Sequence, residues 1–331
     1  MTAPSAGVPA ASDRVGPSGG VHPRPPTPLP PQKSRPASNL ALRLLTAVLL
    51  IPPVIYTIWV GGLLYLAVIV GIILLGLREF YGLIEDKGAH PLVGFGLAAG
   101  VAIPVVAYVG NEYHATILMT AVLLAVMVAQ VGKAQITEAL ASISGTFFGV
   151  FYVGWLLSHA IVLRQFHDVV SAKWGPAAAL DIDPRAGAFF MLFCVSTVIG
   201  CDAGAYFGGR AWGKRKLAPQ ISPGKTVEGA LSGVVAGIAT AVAAKALFDV
   251  FWPALSAPLS WLAVLLFGVV LSIVGIIGDL VESLLKRDAR VKDTGNLIPG
   301  TGGVLDRIDS NLLAIPVMYY GLLAYTYLRV G

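Results

Sequence analysis

Between Gly278 and Ser310 the chain reads GDLVESLLKRDARVKDTGNLIPGTGGVLDRIDS, a charged stretch in an otherwise apolar protein. It holds six acids, Asp279, Glu282, Asp288, Asp293, Asp306 and Asp309, and five cations, Lys286, Arg287, Arg290, Lys292 and Arg307. Gly300, Gly302 and Gly303 lie between them. Carboxylates at helical spacing bind divalent cations, basic side chains bind phosphate, and glycines let backbone N–H groups approach an anion. Together they point to phosphate chemistry beside a membrane.

Asp279, Glu282 and Lys286 are spaced i, i+3, i+7 and share one helical face, with Ser283 and Arg287 alongside. Asp279 closes an apolar run, where an ionisable group is costly unless paired or functional. Asp306 and Asp309, at i and i+3, open the next helix; this spacing suits a divalent cation as well as the helix dipole. With Asp279 they form the expected metal set. A third cluster, Ser222, Lys225 and Thr226, ends a basic loop (GGRAWGKRKLAPQISPGKTVEGA) before a helix whose N-terminus attracts anions. The alternative is a solvated loop that marks topology. Its Gly-Lys-Thr is similar to a P-loop, but the glycine required five residues before Gly224 is Pro219. Asp202, inside IGCDAGAYFGG, reads either as a partner for a cation or as a helix–helix hydrogen bond. His90, His114, His159 and His167 are scattered without metal-ligand spacing.

These residues must be held by membrane helices. Of 331 residues 56% are hydrophobic and 12% charged, and the mean hydropathy is +0.77, which excludes an ordinary soluble domain. The net charge of +5 comes from loops between apolar runs, not from a nucleic-acid-binding face, so no nucleic-acid partner is expected. Cys194 and Cys201 stand about 10 Å apart along one helix, too far for a disulfide.

The fold class expected is all-α, polytopic, with about nine transmembrane helices near 40–60, 62–80, 91–109, 114–131, 147–164, 187–208, 227–250, 259–279 and 310–329. Gly61-Gly62 leaves the first two as either separate helices or one kinked element. Residues 1–38, rich in Pro, Ser, Ala and Gly, read as a disordered tail. Residues 39–194 read as N-terminal transmembrane helices and 195–331 as the catalytic region. With the N-terminus in the cytoplasm, eighteen Lys and Arg fall inside and five outside, which places both charged segments on the cytoplasmic face.

The segment resembles the CDP-diacylglycerol synthase family (phosphatidate cytidylyltransferases). That signature, Ser-x-Leu-Lys-Arg, four residues, Lys-Asp-x-Gly, then Pro-x-His-Gly-Gly and Asp-Arg-x-Asp, is met by Ser283, Leu285, Lys286, Arg287, Lys292, Asp293, Gly295, Pro299, Gly302, Gly303, Asp306, Arg307 and Asp309. Asp202, Ala205-Tyr206, Gly208, Ser222-Pro223, Lys225-Thr226 and Glu228-Gly229 also look like the family; before 195 only hydrophobicity matches. One position departs: Thr301 stands where the family has histidine; a proton-handling role there would be lost, whereas a hydrogen bond to phosphate, the reading favoured because the reaction needs no strong base, can pass to the threonine hydroxyl.

The resemblance implies transfer of CMP from CTP to phosphatidic acid, giving CDP-diacylglycerol and pyrophosphate, in a bacterial inner membrane. It further implies Mg²⁺ on Asp279, Asp306 and Asp309, and charge neutralisation by Lys286, Arg287, Lys292 and Arg307. Lipid phosphate falls to Ser222, Lys225 and Thr226, with Asp202, Gly302 and Gly303 also lining the substrates. Asp293 is a metal ligand or a partner of Lys292. The partners are the two substrates and the lipid bilayer, and the sequence leaves a homodimer open. A CTP- or ATP-dependent lipid kinase shares these electrostatics and is the alternative. A transporter is the distant one, since it would carry midplane charges and repeats. The Asp-Gly-x-x-Ala-Arg motif of CDP-alcohol phosphotransferases is not found.

Overall fold

In a bilayer the backbone must satisfy its own polar groups, so apolar runs of this length fold as helices. The computed structural model describes residues 51–110, 112–133, 137–295, 297 and 302–330, and helices fill most of them. The proline-rich tail expected at 1–38, and Pro299, Gly300 and Thr301 of the signature, lie outside the described residues.

The helices are α1 (Ile51–Val60), α2 (Gly62–Asp86), α3 (Val93–Val109), α4 (Glu112–Val131), α5 (Ala139–Gly149) and α6 (Leu156–Arg164). They continue as α7 (Phe166–Trp174), α8 (Ala186–Trp212), α9 (Val227–Phe251), α10 (Pro253–Ser256), α11 (Trp261–Asp288) and α12 (Leu305–Val330). A π-helical turn, Val150–Trp155, joins α5 to α6, so that Ala139–Arg164 forms one span. Among the described residues seven spans are long and apolar enough to cross a membrane, while α1 and α3 are shorter. Seven of the nine expected spans therefore meet the length for crossing among the described residues; the one expected at 91–109 is a shorter helix, and residues 40–50 of the first lie outside the described residues.

Two expected boundaries move. The span expected to stop at 279 continues as helix to Asp288, which keeps Asp279, Glu282 and Lys286 on one ridge. The span expected from 310 starts at Leu305. The basic loop before α9 is also not irregular. Lys216–Ala218 (β1) and Ser222–Thr226 (β2) pair antiparallel, Lys216 opposite Thr226 and Ala218 opposite Ser222. This hairpin is the one departure from an all-helical chain among the described residues, and it places Ser222 and Lys225 on a strand and not on the first turn of α9.

Small residues pack α8 against α9. A Cβ added at Gly200, Gly204 or Gly208 would come within 2.1 Å of Thr240, 2.3 Å of Ala236 or 2.2 Å of Ser232. This is small-residue helix packing without a large hydrophobic contribution, as expected where the surroundings are themselves apolar. Between α11 and α12 the approach is equally close: a Cβ on Gly278 would lie 2.8 Å from the carbonyl oxygen of Asp309. That crossing sets Asp279 beside Asp309. Large apolar residues such as Leu231, Val235, Leu262 and Leu266 face outward, as lipid-facing residues do. Phe166, Phe189, Phe190 and Phe193 fill the interior.

One end of the bundle gathers the C-terminal half of α2, the hairpin, the end of α11 and the start of α12. Lys87 pairs there with Asp288, and Arg287 donates to the carbonyl of Ile221 at 3.2 Å. At the other end Arg164 donates to the carbonyls of Ile58 and Trp59, at 2.7 and 3.0 Å, beside Gly61 at φ +70°. Gly61 breaks α1 from α2, so the two are separate helices.

Candidate active site

The α11 ridge supplies Asp279, Glu282, Ser283 and Lys286, and the first two turns of α12 supply Asp306 and Asp309. Lys286 bridges the helices, 3.2 Å from Glu282 Oε2 and 2.7 Å from Asp306 Oδ1. The other oxygen of Asp306 accepts the Gly303 N–H at 2.8 Å and both the N–H and the hydroxyl of Thr294 at 3.0 Å. Asp306 is therefore a hub that folds the signature loop against both helices. Gly302, at φ +97°, lies against it, where a Cβ would meet Asp306 Oδ2 at 2.8 Å.

Asp279 and Lys225 form an ion pair of 2.7 Å, which docks the hairpin on α11. Ser283 Oγ lies 3.4 Å from Asp279 Oδ1. Asp309 accepts the Ser310 N–H at 2.7 Å. Glu282 is fully buried, and the ammonium of Lys286 lies 3.2 Å from its Oε2. It faces Asp309. From α8, Asp202 comes within electrostatic reach of Asp279, Asp309 and Lys225. Among the described residues, the five carboxyls Asp202, Asp279, Glu282, Asp306 and Asp309 thus gather around two ammonium groups, Lys225 and Lys286.

The remaining expected residues take different places. Thr226 caps α9, its hydroxyl oxygen accepting the Gly229 N–H at 3.1 Å, so that lone pair is committed to the fold. Arg287 holds the hairpin and the end of α11, through Ile221 and, at 3.3 Å, the carbonyl of Val291. Lys292, Asp293 and Arg307 are exposed at the same end. Ser222 is half-buried on β2. Asp279, Asp306 and Asp309, expected to share one cation, lie on the neighbouring ends of α11 and α12. As the side chains stand, with Asp279 and Asp306 turned to lysines, no three acids among the described residues converge at metal-ligand spacing.

Two residues of the first half escaped the sequence reading. Glu79 of α2 accepts the N–H groups of Val304 and Leu305 at 2.9 and 2.8 Å. Tyr152, on the π-helical turn, is buried, has no hydrogen-bond partner for its hydroxyl among the described residues, and lies within electrostatic reach of Glu282 and Asp309. An acid ending an amphipathic turn in REFYG was a signal for the first. A π turn leaves no comparable mark in sequence.

A bundle of membrane helices with buried acids, paired lysines and a basic hairpin at one end defines a membrane-embedded enzyme of phosphate chemistry. The chain belongs to the cytidylyltransferase family, whose sequence model matches residues 41–325. It is 32% identical over 289 residues to the phosphatidate cytidylyltransferase of Synechocystis sp., covering 84% of this chain and 94% of that protein. The Brucella suis phosphatidate cytidylyltransferase is 32% identical over 282 residues, 85% of this chain and 93% of its own. The Bacillus subtilis protein of the same name is 41% identical over 175 residues, 53% of this chain and 60% of that one. The resemblance read at Ser283–Asp309 is borne out, and it reaches well into the N-terminal half, where hydrophobicity alone was expected to match.

Proposed function

We propose that the chain joins phosphatidic acid to CTP, releasing pyrophosphate and forming CDP-diacylglycerol. The observation that carries this reading is the cluster of acids and lysines at the end of the bundle, lying beneath the basic hairpin. A lipid phosphate and a water-soluble triphosphate can meet there without either crossing the bilayer. Family membership and the names of its relatives supply the specific chemistry.

The lipid phosphate oxygen attacks the α-phosphorus of CTP, the bond to the β-phosphate oxygen breaks, and pyrophosphate leaves. The nucleophile is already anionic near neutral pH, so positioning and charge neutralisation carry most of the catalysis. Lys225, on β2 just before the membrane-length helix α9, takes the lipid phosphate with Ser222; Thr226 caps the start of α9. Lys286 neutralises developing charge, with Lys292 and Arg307 at the open rim toward the nucleotide. Arg287 keeps the hairpin in register with α11.

Magnesium fits the donor set. Hard oxygen ligands, an excess of acids over ammonium groups, and the fully buried Glu282 beside Asp309 all favour a divalent cation. Asp279, Asp306 and Asp309 would hold it, with Asp202 near. Asp306 can contribute only Oδ1, and only by releasing Lys286, because three donors occupy Oδ2. When bound, Mg²⁺ supplies Lewis-acid neutralisation of the triphosphate. The excess of Lys and Arg at this end of the chain supports a cytoplasmic active site in a bacterial inner membrane.

The test is pyrophosphate release by purified protein in mixed micelles. CMP transfer requires release to depend on CTP, phosphatidic acid and Mg²⁺ together, with CDP-diacylglycerol formed one for one. Release without the lipid, or equal activity with ATP, would defeat the reading.

A further inference from the structure

The N-terminus of α12 is an anion-binding position, where N–H groups without helical partners and the dipole favour negative charge. In a nucleotide enzyme a phosphate is the obvious occupant. Here the chain fills the position itself. Glu79, 225 residues before Val304 and on α2, places Oε1 2.9 Å from the Val304 N and Oε2 2.8 Å from the Leu305 N. The Thr294 hydroxyl stands between two acids, 3.3 Å from Glu79 Oε2 and 3.0 Å from Asp306 Oδ2. Two glycines complete the fit: a Cβ on Gly295 would meet Glu79 Oε1 at 2.6 Å, and one on Gly303 would meet Oε2 at 2.4 Å.

We propose that Glu79 is a positioning residue for the transfer reaction, a clasp that fixes both ends of the signature loop, and through Thr294 and Gly303 the orientation of Asp306. The proposal rests on the cytidylyl-transfer reading above. The partners of Glu79 are Val304, Leu305 and Thr294, all in the signature loop and the start of α12, so it acts through that loop and not through the hairpin that carries Lys225. Its two oxygens must both accept. Glutamine keeps one acceptor and turns an NH₂ donor toward a second N–H, and aspartate is a methylene too short to reach both amides from the same backbone.

The experiment compares wild type with Glu79→Gln, Glu79→Ala and Glu79→Asp in detergent micelles by two readouts. Hydrogen–deuterium exchange follows the amides of Val304 and Leu305 against those of α8 and α9, and steady-state kinetics separate kcat from the two Michaelis constants. The clasp requires at least tenfold faster exchange at Val304 and Leu305 in the Gln and Ala variants, with α8 and α9 unchanged. Positioning requires kcat per folded molecule to fall at least tenfold, with KM for phosphatidic acid within twofold of wild type, and partial recovery in Glu79→Asp. Unchanged exchange overturns the clasp. Faster exchange with intact kcat, or a loss confined to the amount of folded protein, overturns the positioning role. If wild type makes no CDP-diacylglycerol, the functional reading fails while exchange still decides the clasp.

Discussion

Replacing Asp306 by Asn isolates one interaction at the centre of the site. The amide is nearly isosteric, and its oxygen can take the place of Oδ2, keeping the donors from Thr294 and Gly303. Its NH₂ then faces Lys286, whose 2.7 Å bond to Oδ1 is lost. A hydrogen bond to a charged group is worth about 1.5–3 kcal/mol, and breaking a buried ion pair costs about 3–5 kcal/mol. Lys286 keeps Glu282 as a second partner at 3.2 Å, which puts the loss at the lower end, about 2–3 kcal/mol. Expressed wholly in the transition state, that is about 30- to 150-fold in kcat/KM at 1.36 kcal/mol per decade. The loss is larger if Asp306 also meets a metal ion. The assay is steady-state kinetics on Asp306→Asn, Lys286→Met and the double variant. A coupling energy of at least about 1.5 kcal/mol between the two sites is expected. Near-normal turnover in Asp306→Asn, or strictly additive effects, would refute the hub.

Lys225→Ala is expected to raise KM for phosphatidic acid or lower kcat, with KM for CTP little changed; a selective loss of CTP affinity would move the hairpin to the nucleotide side. Tyr152→Phe removes a buried hydroxyl that stabilises nothing in the described fold, so thermal stability should hold. If that hydroxyl serves Glu282 and Asp309, turnover falls about 2- to 12-fold, the worth of one net hydrogen bond; unchanged turnover removes Tyr152 from the site. Gly208→Val drives a side chain into Ser232, where a Cβ alone would sit at 2.2 Å. The overpacking should cost at least about 1–3 kcal/mol, read as a lower unfolding temperature in detergent.

The helices and the main acids were legible in sequence because each rests on local periodicity. Asp279, Glu282 and Lys286 share a face at any helical register, and Asp306 with Asp309 needs only that α12 begin before residue 306. What the spacing could not give was pairing across elements. Lys225 and Asp279 both looked like ligand residues, and they turn out to hold each other. The hairpin hid behind Pro219 and Pro223, which read as loop; its strands are short, and Pro223 sits where no ladder hydrogen bond is required. Arg287 looked like a phosphate ligand because guanidinium groups are, but two of its donor atoms are bound to carbonyls. The role of Glu79 was hidden for a different reason. It caps a helix from more than two hundred residues away, and capping patterns are recognisable only when the cap precedes its helix in sequence.

The central claim is that the α-phosphorus, and not the γ, is transferred to the lipid. Parallel reactions with [α-³²P]CTP and [γ-³²P]CTP, phosphatidic acid and Mg²⁺, followed by extraction into organic solvent, separate the two directly. CMP transfer places the α label in the lipid phase as CDP-diacylglycerol and leaves the γ label in aqueous pyrophosphate. A lipid phase labelled from the γ position would make the protein a lipid kinase and contradict the assignment.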